Sequence, residues 1–144
     1  MVKQSTVIFV LFALLHSFVA NAREIRCVKI PESITVQGEN LILNGVGVRK
    51  VLFLDLYVIA LYLKSKAIGA MEIINADETM ALKIQIITDV INSNNFRNAA
   101  LEGFEFSTGG NITPIQKEID LFLTAFSNNI KNRDSFKIHS AGSS

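Results

Sequence analysis

The sequence predicts an α+β fold, an antiparallel sheet with helices packed on one face. Three observations lead there. The segment Val48 to Leu63 is dense in Val, Leu, Ile, Phe and Tyr and reads as strand. The helical periodicities cluster late, between about residues 93 and 130. The expected element order, β-β-β-α-β-α-α-β, groups strands together rather than alternating them with helices.

The first strand is expected over Asn40 to Leu43, ending at Asn44-Gly45, a strong turn dipeptide. Val48 to Leu63 is long for one strand, so two strands are expected with a bend or hairpin near Leu54-Asp55. A short helix follows over Ala67 to Asn75, with Ile68, Met71 and Ile74 spaced at three and Gly69 weakening it. Ala81 to Ile87 alternates Leu82, Ile84 and Ile86 with Lys83 and Gln85, a strand with one buried face.

Two helices come next. Ser93 or Asn94 is positioned to cap the first, which runs to about Phe106 with Phe96, Ala100 and Phe104 on one stripe. Thr108-Gly109-Gly110-Asn111 breaks it. The second has Thr113 as N-cap, Pro114 at the first helical position and Gln116 completing a capping box. Its apolar positions, Ile115, Ile119, Phe122, Phe126 and Ile130, recur at helical spacing. Asn111-Ile112-Thr113 also matches a glycosylation sequon, but the capping role is preferred. Ser135 to His139 is a last strand, and residues 140–144 read as a tail.

Residues 1–22 read as a cleavable secretory signal peptide, so the protein is expected to be exported, periplasmic or secreted. Lys3 supplies the positive end, Val7 to Leu15 the apolar run, and Ala20-Asn21-Ala22 the small-residue cleavage site. The apolar run stops at His16 and Ser17, well short of the roughly 20 residues of a membrane span. No stable membrane span is expected after cleavage. Residues 23–39 form a lead-in, and 40–139 form one domain.

With Lys3 removed, 13 basic and 13 acidic side chains remain, so there is no electrostatic footprint for nucleic acid. Cys27, the single cysteine, cannot bridge internally; it reads either as a small core residue or as an exposed thiol. Only His139 survives cleavage, and no Ser-His-Asp arrangement is read from the sequence. There is no Walker loop, dinucleotide fingerprint or metal motif, and no cofactor is expected.

Arg49 stands out inside an apolar strand, in Gly47-Val48-Arg49. Beside Lys50 it reads as a solvated edge residue; alternatively it is a buried guanidinium whose planar fork awaits a carboxylate. Tyr57 lies eight residues on, with the same side-chain parity. A straight strand would hold the two about 26 Å apart, so they share a ligand only if the chain reverses between them. Tyr62 has the opposite parity and reads as sheet packing.

Leu43-Asn44-Gly45-Val46-Gly47-Val48-Arg49-Lys50, with Leu56-Tyr57-Val58-Ile59-Ala60-Leu61-Tyr62-Leu63, resembles the opening strands of the chalcone isomerase-like family. The similarity is to its exported bacterial branch and covers roughly residues 40–139. The resemblance implies a large antiparallel sheet packed on a layer of helices with an apolar cleft between. It also implies that the Arg of the Gly-Val-Arg motif, here Arg49, reaches a ligand. The position of Tyr57 is Thr in the isomerases and Tyr in the fatty-acid binders of the family. The Tyr and Asn that the isomerases carry on a helix fall here near Asn92 and Ala99, with Asn94, Asn95 and Asn98 nearby. The family continues past the strand matching 135–139 with more strand and a final helix, which this chain is expected to lack.

The resulting expectation is a non-catalytic binding protein for a small apolar ligand, a fatty acid or similar carboxylate, held by Arg49 and Tyr57. The alternatives are a chalcone isomerase-type intramolecular lyase and a structural or partner-binding protein with a filled core.

Overall fold

A computed structural model describes residues 22–142. The expected leader lies outside these residues, apart from Ala22. Three strands occupy the segment read as a lead-in: β1 (Ala22–Ile25), β2 (Val28–Pro31) and β3 (Ser33–Val36). They are four residues each, too short to show a period, and Pro31 masks the second. The rest follows as β4 (Glu39–Val51), β5 (Leu54–Leu63), α1 (Ala70–Asn75), β6 (Met80–Ile86), α2 (Ser93–Ser107), α3 (Gln116–Thr124) and β7 (Ser135–Ser140). Strands β3 to β7 form an antiparallel sheet in sequence order, and β1 pairs with β2 in a separate hairpin. The expected α+β architecture, with helices on one face, is what the chain adopts.

Tight two-residue turns join the early strands. Arg26 and Cys27 both have positive φ between β1 and β2, as do Gln37 and Gly38 between β3 and β4. Cys27 is exposed in its turn and is not a core residue.

The sheet is covered on both faces. Val28 and Ile30 of the β1–β2 hairpin pack with Leu41, Leu43, Val58, Ala60 and Tyr62 on one side. The Tyr62 hydroxyl donates to Pro31 O at 2.9 Å and ties the hairpin to the sheet. Burial pushes that hydroxyl above the ordinary phenol value, and the charge of Glu32 adds to the effect. The opposite face carries α2 and α3: Ile84 and Ile86 meet Phe96, Phe126 and Ile130, with Tyr57, Ile59 and Phe136 packed around them.

Asn44-Gly45 is not a turn. β4 runs straight through it, and the pairing with β5 shifts between Leu43 and Gly45, the mark of a bulge. The extra residue is Asn44. Its amide donates to Ala67 O at 3.0 Å and its carbonyl accepts from Ala67 N at 2.9 Å, so the loop before α1 is fastened to the bulge. Asn44→Ala removes both bonds and leaves a backbone pair to find water. The expected cost is about 1–3 kcal/mol, read as a lower urea midpoint at unchanged slope.

The helices also depart from expectation. Asn92 rather than Ser93 or Asn94 caps α2; its carbonyl accepts from Asn95 N at 3.0 Å. Ser93 instead donates to Asn128 O and accepts from Ile130 N at 3.0 Å, anchoring the chain beyond α3. Thr113 makes no side-chain cap: Thr113–Ile115 is a 3₁₀ turn and α3 starts at Gln116. Gln116 reaches forward to Asp120 at 2.9 Å, so the capping box does not close. The apolar period outlasts the helix, because Phe126 and Ile130 are buried from an irregular segment.

Candidate functional site

The β4–β5 hairpin brings Arg49 and Tyr57 together. The turn is Leu52-Phe53, two residues ahead of the break expected at Leu54-Asp55, and Val51 pairs with Leu54. Arg49 and Tyr57 are direct cross-strand partners. Opposed residues of antiparallel strands stand about 5 Å apart at Cβ, against roughly 26 Å along an unbroken strand.

Two bulges decide what these side chains face. Before Asn44, odd residues Leu41 and Leu43 point into the β1–β2 core; after it, even residues Val46 and Val48 pack there. The single inserted residue thus turns Arg49 to the helix side, since side chains alternate with period two. On β5, Arg49 pairs with Tyr57 while Lys50 pairs with Asp55, leaving Leu56 as the extra residue. Leu56 and Tyr57 consequently both border the same space.

That space is a cleft of about 550 Å³ between the hairpin and α2, within the roughly 300–1,000 Å³ typical of small-molecule sites. Its sheet wall is Arg49, Val51, Leu54, Leu56 and Tyr57. Its helix wall is Asn95, Phe96, Ala99, Ala100 and Gly103, with Val90 and Ile91 from the preceding loop. Positions 96, 99, 100 and 103 share one helix face. Alanine and glycine at three of them leave the hollow that larger side chains would fill. Of these small residues the sequence placed only Ala100 on the apolar stripe; Ala99 and Gly103 had no role in it.

The Tyr57 ring lies edge-on to Phe96, with centroids 5.6 Å apart, and Phe96 in turn packs on Phe126 at 4.5 Å. The ring is therefore held by the aromatic core, and its position is set in advance. Arg49 is different. It is exposed while bordering the cleft, so the buried-guanidinium reading is corrected. Among the described residues no ion pair uses it. The neighbouring carboxylate, Asp55, is engaged by Arg26 at 2.7 Å and by Lys50 at 3.4 Å.

Among the lining residues only Arg49, Tyr57 and Asn95 have polar side chains. Asn92 spends its side chain on the α2 cap, and Ala99 offers a methyl group. The described residues contain no cluster of His, Cys, Asp and Glu suited to a metal ion. No helix among them is long and apolar enough to cross a membrane.

A solved structure with the same fold is a fatty-acid binding protein of Arabidopsis thaliana. The two share 19% identity with a TM-score of 0.59, over 85% of this chain and 73% of that one. No curated protein matches the chain. The chalcone isomerase-like family model matches residues 22–143, most of the 144-residue chain, and this protein belongs to the chalcone isomerase-like family.

Proposed function

We propose that this protein is an exported, non-catalytic binder of a small apolar carboxylate of the fatty-acid kind. Arg49 takes the carboxylate by a charge-assisted fork, the Tyr57 hydroxyl donates a second bond, and the cleft receives the tail. The observation that carries the reading is the placement of Arg49, unused by any ion pair among the described residues, directly opposite Tyr57 in the lining of an apolar cleft. The fatty-acid binding neighbour supports the ligand class. Export rests on the leader of residues 1–22.

Hydrogen bonds to a charged group contribute about 1.5–3 kcal/mol. Arg49→Ala is therefore expected to weaken fatty-acid binding by roughly tenfold to a hundredfold in a titration with a fluorescent fatty acid. Affinity for the matching fatty alcohol, which has no charge, should hardly change. Equal losses for both ligands, or none for either, would sink the clamp.

One observation favours a second reading, a partner-binding surface: Arg49 is exposed, as an interface residue would be. The open cleft argues against the filled core that reading requires. Isomerase chemistry has weaker support, since Asn92 and Ala99 stand where the resemblance puts the isomerases' polar pair. Ring closure of a chalcone, followed by absorbance, would revive it.

A further inference from the structure

The tip of the β4–β5 hairpin is built against the usual rule for turns. Tight two-residue hairpin turns favour Gly, Asn and Asp, because a positive φ is needed. Here the first turn residue is Leu52, at φ 53°. The second is Phe53. Their side chains are 88% and 87% exposed, and Val51 and Leu54 on either side are also exposed. Four apolar residues in succession thus project from the sheet with no covering element among the described residues.

Below the tip sits a collar of charge. Arg49 and Lys50 precede Val51, the last residue of β4, and Arg26 from the β1–β2 turn is drawn alongside by its 2.7 Å contact with Asp55. Three cations against one carboxylate leave the collar positive. The tip is also continuous with the cleft, since Val51, Leu54 and Arg49 are part of its lining.

We propose that this hairpin tip docks on an anionic lipid surface, with Leu52 and Phe53 inserted among the acyl chains and Arg49, Lys50 and Arg26 at the phosphate level. A protruding pair of apolar side chains needs a preformed hole in a protein partner, whereas a bilayer interface accepts it without one. The cationic collar selects negative headgroups and acts within a Debye length of the surface. Docked this way, the cleft mouth faces the lipid, which gives an apolar ligand a dry path in or out. That use of the tip rests on the ligand reading above; the docking itself does not.

The chain contains no tryptophan, so Phe53→Trp is a unique reporter of the tip in the full-length protein. A matching control is Ile74→Trp, 70% exposed on α1, whose loop is fastened at the Asn44 end of β4. The probes are vesicles of phosphatidylcholine alone and of phosphatidylcholine with phosphatidylglycerol, with brominated acyl chains as quencher. The expected result is a blue shift and quenching at position 53 on anionic vesicles, weaker on neutral ones, fading with added salt, and absent at position 74. Adding Leu52→Asp to the Phe53→Trp variant should weaken vesicle binding by about tenfold or more, with fatty-acid affinity in free solution unchanged. A position-53 reporter that stays solvent-exposed on anionic vesicles overturns the proposal. So does equal quenching at both positions, which means adsorption without orientation. A blue shift that grows with protein concentration in the absence of vesicles overturns it in favour of self-association. Loss of fatty-acid binding by the unmodified chain would count against the ligand reading and leave the vesicle result to stand or fall separately.

Discussion

Replacing Phe126 by Ala is expected to destabilise the protein by about 3–5 kcal/mol, the largest single effect the structure predicts outside the cleft. Phe126 is fully buried although it follows the last turn of α3. Its ring meets Phe96 at 4.5 Å, Phe136 at 4.7 Å and Phe122 at 5.1 Å. It therefore joins α2, the chain after α3, and β7 in one contact set. Truncation loses the transfer energy of the ring and leaves a cavity that three aromatic neighbours, each fixed by other contacts, cannot collapse into. Domains of this size are stable by only about 5–15 kcal/mol. A urea midpoint falling by a third or more is the expected reading. Phe106→Ala is the comparison: that ring is exposed, and its loss should move the midpoint little. A Phe126 variant as stable as the Phe106 variant would place the core elsewhere.

Filling the cleft should abolish ligand binding without unfolding the chain. Ala100→Trp projects an indole from the helix wall toward Leu56 and Tyr57, into space that no described side chain occupies. Each methylene kept out of the cleft forfeits about 0.8 kcal/mol. Excluding three or four weakens a fatty acid by roughly a hundredfold. The urea midpoint should hold or rise, because the indole buries apolar surface where there was a hollow. The same fluorescent titration reads the affinity. Unchanged affinity with a folded variant would show that the ligand sits outside this cleft. The contrast with Arg49→Ala is informative: the clamp variant spares the fatty alcohol, and the filled variant loses both.

Much of this arrangement was legible before the structure. The strand composition of Val48 to Leu63 and the alternation through Leu82, Ile84 and Ile86 located β5, β6 and the last part of β4, whereas the Asn44-Gly45 dipeptide cut β4 in two where the strand runs on. The Phe96–Phe104 spacing located α2. Arg49 and Tyr57 were singled out because a cation within an apolar strand needs a reason. The condition for their meeting, a chain reversal between them, is met at Leu52-Phe53. What escaped was whatever lacks a local signature. The strands of residues 22–36 use Arg26-Cys27 and Gln37-Gly38 as turns, and only the glycine advertises one. Ile130 continued a helical period after the helix had ended, because burial against Ser93 and the sheet, not helical geometry, holds it there.

By itself the sequence determined the class of fold, the order of the central strands, the apolar stripe of α2, and the two polar side chains worth watching. These follow from composition and period, which act over a few residues. Only the tertiary structure decided which way those side chains face. The decision rests on single inserted residues at Asn44 and Leu56. A bulge of one residue reverses every side chain beyond it, and Asn44 makes its bulge with partners at Ala67, 23 positions away. The same is true of the exposure of Arg49 and of the bare hairpin tip. Burial is a property of what packs from elsewhere in the chain, so local pattern could propose the clamp but could not place its mouth in the open.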